Sequence, residues 1–176
     1  MSNFDLTEFI RTVPDYPIDG VNFYDVNSLF AGPLFTQLIN EMINSLRDLP
    51  PVVTHIAGIE SRGFVLGSAI AYAMELPFVM IRKKGAKYPG SLLTETYKLE
   101  YGEDSIVLQQ GILGHTDRVI LVDDLIATGG TIQAASRLVE QTGARVLGCA
   151  TIIDLKYLRN SEYPMHVVSL IEKQES

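Results

Sequence analysis

The sequence predicts an α/β fold, with a central, mostly parallel sheet flanked by helices, on three observations. Apolar runs of strand length recur at residues 52–57, 78–81, 118–122 and 146–153. Helical apolar periodicity fills the interval between the first two, at residues 64–74, and between the last two, at residues 131–141. Each such strand–helix–strand unit calls for parallel strands joined by a right-handed crossover.

The elements follow in order. Leu6, Phe9, Ile10 and Val13 recur at helical spacing, and Pro14 would stop that helix. Residues 21–26 are expected to be extended after the turn Ile18-Asp19-Gly20. Pro33 stands where a first helical residue would, and Leu34, Leu38, Met42 and Leu46 follow on one stripe. After Pro50-Pro51, Val52 to Ala57 reads as a buried strand, followed by a helix over 64–74 and a strand over 78–81. A long polar loop is expected from Lys83 to about Glu95, then a small hairpin from residues 97–101 and 105–108. Residues 118–122 form the strongest strand, a Gly-Gly turn leads into the helix over 131–141, and strands at 146–153 and 167–171 close the pattern. With no repeat, low-complexity tract or Pro/Gly/Ser linker, one domain over residues 1–176 is the simplest organisation.

Composition narrows the function classes. The chain has 176 residues, 47% hydrophobic, enough for a packed core and too apolar for disorder. Its net charge of −7 disfavours a sequence-independent nucleic-acid binder. No apolar run approaches the length needed to cross a bilayer, and residues 1–5 show no secretory pattern. Cys149 is the one cysteine and sits in an apolar run, where it reads as buried filler. Together these favour the cytoplasm, with no nucleic-acid and no membrane partner. The basic residues gather at Arg82, Lys83, Lys84 and Lys87, a plausible anion site in an acidic protein or a solvated loop.

The most informative segment runs from Arg118 to Thr131. An apolar strand ends on two carboxylates, Asp123 and Asp124, at the edge where open α/β sheets bind ligands. Ala127-Thr128-Gly129-Gly130-Thr131 then opens a helix. Glycines let backbone N–H groups converge, the helix N-terminus adds partial positive charge, and Thr128 and Thr131 add hydroxyl donors; this is a phosphate cup. The two acids would repel a phosphate, but they suit ribose hydroxyls or a hydrated divalent metal. A ribose 5-phosphate satisfies both halves. The chain lacks the glycine–lysine loop of ATPases and the Gly-x-Gly-x-x-Gly of dinucleotide folds.

At these residues the sequence resembles the type I phosphoribosyltransferases, whose signature is an apolar strand, two acids and a Thr-Gly-Gly-Thr-like turn. Pro14-Asp15-Tyr16-Pro17 with Gly20-Val21-Asn22-Phe23 is similar to the base-covering segment of the family's adenine branch. Ala57 to Phe64 is similar to its diphosphate loop, and Ile81 to Gly85 with Glu95 to Gly102 to the ends of its mobile loop. Family members usually carry an apolar residue at Asn22 and often a basic one at Tyr24, both flanking the expected base site. The stretch from Gly85 to Gly90 is one residue longer than the family pattern, and no role is carried to Lys87.

The resemblance implies a type I phosphoribosyltransferase fold with a hood over residues 1–30 and a mobile loop over residues 83–100. It implies transfer of a phosphoribosyl group from phosphoribosyl diphosphate to adenine. The alternatives are a 6-oxo purine acceptor, or a regulator that senses the donor without catalysis. Asp123 and Asp124 would hold the sugar, and Ala127, Thr128, Gly129, Gly130 and Thr131 the 5-phosphate. Ser61 and Arg62 would face the diphosphate or the base, unless Arg62 is an ion pair with a helix acid. Arg82 and Lys83 would take charge from the diphosphate. Phe23 and Leu125 would sandwich the base, unless they are core residues, and Asn22 would read its edge. Glu100 would act as the general acid–base group near purine N7, with Tyr101 shielding the closed site. Mg2+ would ride on the donor and water, with no direct protein ligand, and the protein would be a homodimer. His55, His115 and His166 are expected to be structural.

Overall fold

A computed structural model of the chain describes residues 6–16, 18–50, 52–85, 87–98, 102–159 and 162–174. The first described element is a single 3-10 turn, Leu6–Phe9, and not the longer helix that the apolar spacing predicts. The last residue of that stripe, Val13, enters a strand instead: β1 (Arg11–Val13) pairs antiparallel with β2 (Phe23–Asp25). A partner strand satisfies the backbone of 11–13 where a marginal helix before Pro14 would leave its end open.

A five-residue helix, α1 (Asn27–Ala31), precedes α2 (Phe35–Ser45). The second begins two residues past Pro33 and buries Leu38, Ile39 and Met42, as its stripe requires. Then come β3 (His55–Ile59), α3 (Arg62–Ala73) and β4 (Phe78–Lys83). The strand β3 starts three residues later than the apolar run does, with Val52 exposed.

The segment expected to be a polar loop up to Glu95 is a strand from Leu92 onward. β5 (Leu92–Lys98) and β6 (Glu103–Gln109) form a regular antiparallel hairpin. The chain continues through β7 (Arg118–Val122), β8 (Leu125–Ile126), α4 (Gly130–Glu140), β9 (Arg145–Leu155) and β10 (His166–Lys173).

The sheet order is β10-β9-β7-β3-β4-β6-β5, with β8 paired to β9. From β10 to β4 all neighbours are parallel; β6 and β5 add an antiparallel edge. Alternation along the strands feeds two cores. Ile56, Ile120 and Val122 pack on the side of α2 and α3, while Ala57, Ile59, Val119 and Leu121 pack on the side of α4. Both faces are covered, so the strands read as unbroken apolar runs. Among the described residues, no helix is long and apolar enough to cross a membrane.

The connections fix where a ligand can sit. From β3 the chain crosses through α3 to β4 on one side; from neighbouring β7 it crosses through α4 to β9 on the other. The strand order therefore reverses between β3 and β7, and a crevice opens beyond their carboxyl ends.

Candidate active site

Two strand ends face this crevice. The β7 strand delivers Asp123 and Asp124, whose backbone is tied to β9: the Asp123 N–H donates to the Ala150 carbonyl at 3.2 Å, and the Ile152 and Ile153 N–H groups donate to the Asp124 carbonyl at 3.1 Å. The β3 strand delivers Glu60, Ser61 and Arg62 at the start of α3, across a cis Glu60–Ser61 peptide. The two ends approach closely because residue 63 is glycine. A Cβ there would lie 2.5 Å from the Val122 carbonyl oxygen and 3.2 Å from Asp123 Oδ1.

A cleft of about 560 Å³ results, lined by Ile59, Glu60, Ser61, Arg62, Lys83, Tyr97, Asp104, Asp123, Asp124, Leu125 and Thr131. The volume suits a small ligand. Asp124 is 4% exposed, yet among the described residues its Oδ2 has no aligned hydrogen-bond donor. Arg62 Nε lies 2.6 Å from that oxygen, an ionic contact off the N–H direction. The carboxylate thus lies against a guanidinium and keeps an acceptor site for an incoming hydroxyl. Asp123 Oδ1 accepts the Asp124 N–H at 2.9 Å. Burial, followed by the Asp124 charge beside it, pushes the Asp123 carboxyl well above the usual range.

The turn after β8 opens α4. Gly129 has φ +85, a left-handed conformation that costs glycine nothing. Among the described residues no side chain caps the helix, so its first N–H groups remain available to an anion. Thr131 lies in the cleft wall, and its hydroxyl meets that of Tyr97. Ala127, Thr128, Gly129 and Gly130 form the turn that leads to it.

The remaining sequence-named residues are placed as follows. Arg62 reaches from Asp124 to the Phe23 ring, 5.8 Å from its centroid, so it does pair with an acid, though one of the crevice and not of a helix. Phe23 also meets Tyr16 edge-on at 5.2 Å, while Asn22 is exposed. Leu125 serves both purposes: it lines the cleft and packs on the α2–α3 core. Arg82 Nε lies 3.3 Å from Glu60 Oε2, and its guanidinium sits 5.4 Å from the Tyr88 ring centroid. Burial favours a protonated Glu60, but the Lys83 N–H, the Arg82 guanidinium and the Lys83 charge together hold it below its usual range. Lys83 Nζ lies 3.9 Å from Asp104 Oδ2. Tyr24 does not flank the crevice; it is buried, with Lys173 Nζ 5.8 Å from its ring centroid. His55 accompanies Thr54 and Asp117 at the amino end of β3, away from the cleft. Glu100, Tyr101 and Pro17 lie outside the described residues.

Sequence reasoning gave no role to Tyr97 and Asp104. They are cross-strand partners in the β5–β6 hairpin, and the Tyr97 hydroxyl donates to Asp104 Oδ2 at 3.2 Å. Registering that hairpin from its alternation would have paired them.

Comparison with known proteins agrees with this geometry. Residues 25–174 match the family model for the phosphoribosyl transferase domain. The adenine phosphoribosyltransferase of Dinoroseobacter shibae is 44% identical over 151 residues, covering 85% of this chain and 83% of the relative. Among solved structures, the adenine phosphoribosyltransferase of Rhodothermus marinus superposes with a TM-score of 0.84 at 39% identity, covering 95% of this chain and 96% of the other. The enzyme of Saccharomyces cerevisiae, complexed with an imino-altritol bisphosphate and adenine, gives 0.85 at 35% identity, covering 94% and 96%. The chain belongs to the phosphoribosyl transferase family, in its adenine phosphoribosyltransferase branch.

Proposed function

We propose that the protein transfers the 5-phosphoribosyl group of phosphoribosyl diphosphate to adenine, forming AMP and diphosphate. The observation that carries this reading is the crevice itself: two adjacent acids, Asp124 buried and Asp123 half-buried, beside an uncapped helix start, facing an arginine across the strand-order switch. The fold and the adenine complex of the yeast relative support it.

In the reaction the bond from ribose C1 to the diphosphate oxygen breaks as purine N9 bonds to C1. Positive charge grows on the sugar ring and negative charge on the leaving diphosphate. Asp123 and Asp124 accept hydrogen bonds from the ribose hydroxyls and favour the electron-poor ring. The turn from Ala127 to Thr131 holds the 5-phosphate. Ser61, Arg62 and Lys83 meet the diphosphate, with Arg82 held by Glu60 behind them. Phe23 and Leu125 pack on the base, and Asn22 reads its edge through the backbone. Glu100 holds the proton at N7 while N9 attacks. The acceptor site left open on Asp124 also fits the water shell of a Mg2+ ion carried by the donor. When bound, that ion neutralises charge on the leaving diphosphate.

We also assign the chain as one domain that works as a cytoplasmic homodimer. Tyr72 is 88% exposed, and Val65 two turns earlier on α3 is exposed as well, which leaves an apolar stripe for a second copy. The lone cysteine is a buried free thiol, the form that a reducing compartment keeps. Diphosphate release with adenine, hypoxanthine and guanine tests the assignment. Release with adenine alone is expected; equal release with the 6-oxo purines removes adenine specificity, and no base-dependent release removes the reaction.

A further inference from the structure

Behind the phosphate cup lies a polar cluster that the reaction does not use. Asp154 is the penultimate residue of β9 and is 1% exposed. It pairs in register with Ile126, the residue that leads into the cup. One carboxylate oxygen, Oδ2, accepts a short hydrogen bond from Arg159 Nη2, while Oδ1 has no partner among the described residues. The Arg159 guanidinium stacks on the Tyr163 ring at 4.1 Å from its centroid. That ring packs directly on Gly129: a Cβ at residue 129 would collide with it. A chain of contacts thus runs from a buried carboxylate, through a guanidinium and an aromatic face, to the left-handed residue that starts α4.

Such an arrangement is costly if it only fills space. A buried acid with one orphaned oxygen could be replaced by an apolar side chain with no loss of stability. Its effect is to fix a plane. The guanidinium, anchored by Asp154, sets the tilt of the Tyr163 ring, and the ring limits how far the Gly129 turn can relax. Glycine at φ +85 has few intrinsic restraints, so the cup needs an outside wall to keep its N–H groups converged.

We propose that Tyr163, backed by the Arg159–Asp154 pair, is a positioning residue that holds the Gly129 turn in its phosphate-binding shape. The inference rests on the reading of that turn as the 5-phosphate site. Tyr163 touches no reacting atom, so its effect belongs to the phosphate end of the donor and not to the diphosphate end.

The test compares two probes, ribose 5-phosphate and inorganic diphosphate, by calorimetry on the full chain. Tyr163→Ala is expected to weaken ribose 5-phosphate binding roughly tenfold, within the range that a small misplacement costs, and to leave diphosphate binding unchanged. The KM for phosphoribosyl diphosphate should rise with it, while the KM for adenine stays level and kcat changes less. Tyr163→Phe, which keeps the ring, should restore wild-type values. Should Tyr163→Ala not fold, Tyr163→Leu keeps volume without a flat face and should show the same split. Unchanged ribose 5-phosphate affinity in the folded Ala or Leu variant overturns the inference, and so does equal weakening of both probes. If wild-type protein itself does not bind ribose 5-phosphate, the reading of the cup has failed, and the positioning role falls with it.

Discussion

Two neighbouring parallel strands end on buried carboxylates, and they balance the charge differently. At the end of β9, Asp154 is paired at once with Arg159, and Lys156 and Glu172 add a second ion pair at 2.5 Å nearby. At the end of β7 two acids, Asp123 and Asp124, stand side by side, and among the described residues only Arg62 forms an ion pair with either. The β9 end sets one acid, whose Oδ1 is also without a partner among the described residues, against a guanidinium with Lys156 nearby. The β7 end sets two acids against one guanidinium and bears the electrostatic cost, as expected where a ligand completes the site.

The comparison is most easily broken by removing the charges. Replacing both acids, Asp123→Asn with Asp124→Asn, should lower turnover by two orders of magnitude or more, because each charge-assisted hydrogen bond is worth roughly 1.5–3 kcal/mol. Circular dichroism should show the fold intact. Near-normal turnover in a folded double variant would make the β7 end merely another buried pair.

At the β9 end the expected loss is stability. Arg159→Ala leaves Asp154 buried without its cation and should cost about 3 kcal/mol in urea unfolding. An unchanged midpoint would mean that Asp154 has no need of its partner.

A smaller effect of opposite sign separates the two ends. Burial and the neighbouring Asp124 charge raise the Asp123 carboxyl, so the folded state holds that proton more tightly than the unfolded state does. Stability therefore falls as pH rises from the ordinary carboxylate range to the raised folded value, and stays reduced above it. Asp123→Asn removes that term. Its melting temperature should exceed the wild-type value at neutral pH, and the gap should narrow as pH is lowered toward the ordinary range. A variant that melts below wild type at pH 7 would contradict the strained-acid account.

How much of this could be read in advance depends on how local the signal is. The strand 118–122, the acid pair and the glycine turn lie within fourteen consecutive residues, and strand, crevice and helix start follow from their order alone. The hairpin was harder. Leu92 to Lys98 mixes Thr94 and Thr96, which are exposed, with Glu95, which turns inward to accept from Arg137 Nε at 2.6 Å and Gln141 Nε2 at 2.9 Å. A strand whose inner face carries a glutamate reads as a loop until α4 is docked against it. The stripe from Leu6 to Val13 misled for the same reason, since pairing with Phe23–Asp25 overrides a weak local helix. The contact of Tyr163 with Gly129 joins residues far apart in sequence, and no periodicity marks it.

The central claim is that Asp123 and Asp124 read ribose hydroxyls while the glycine turn holds the phosphate. Comparing the affinities of ribose 5-phosphate and 2-deoxyribose 5-phosphate tests it most directly, since the two ligands share the phosphate and differ by one hydroxyl. The account predicts that wild-type protein prefers ribose 5-phosphate by roughly tenfold or more, the worth of one hydrogen bond to a charged group. It also predicts that the preference collapses in the Asp123→Asn, Asp124→Asn double variant. Equal affinity of wild-type protein for the two sugars would contradict it.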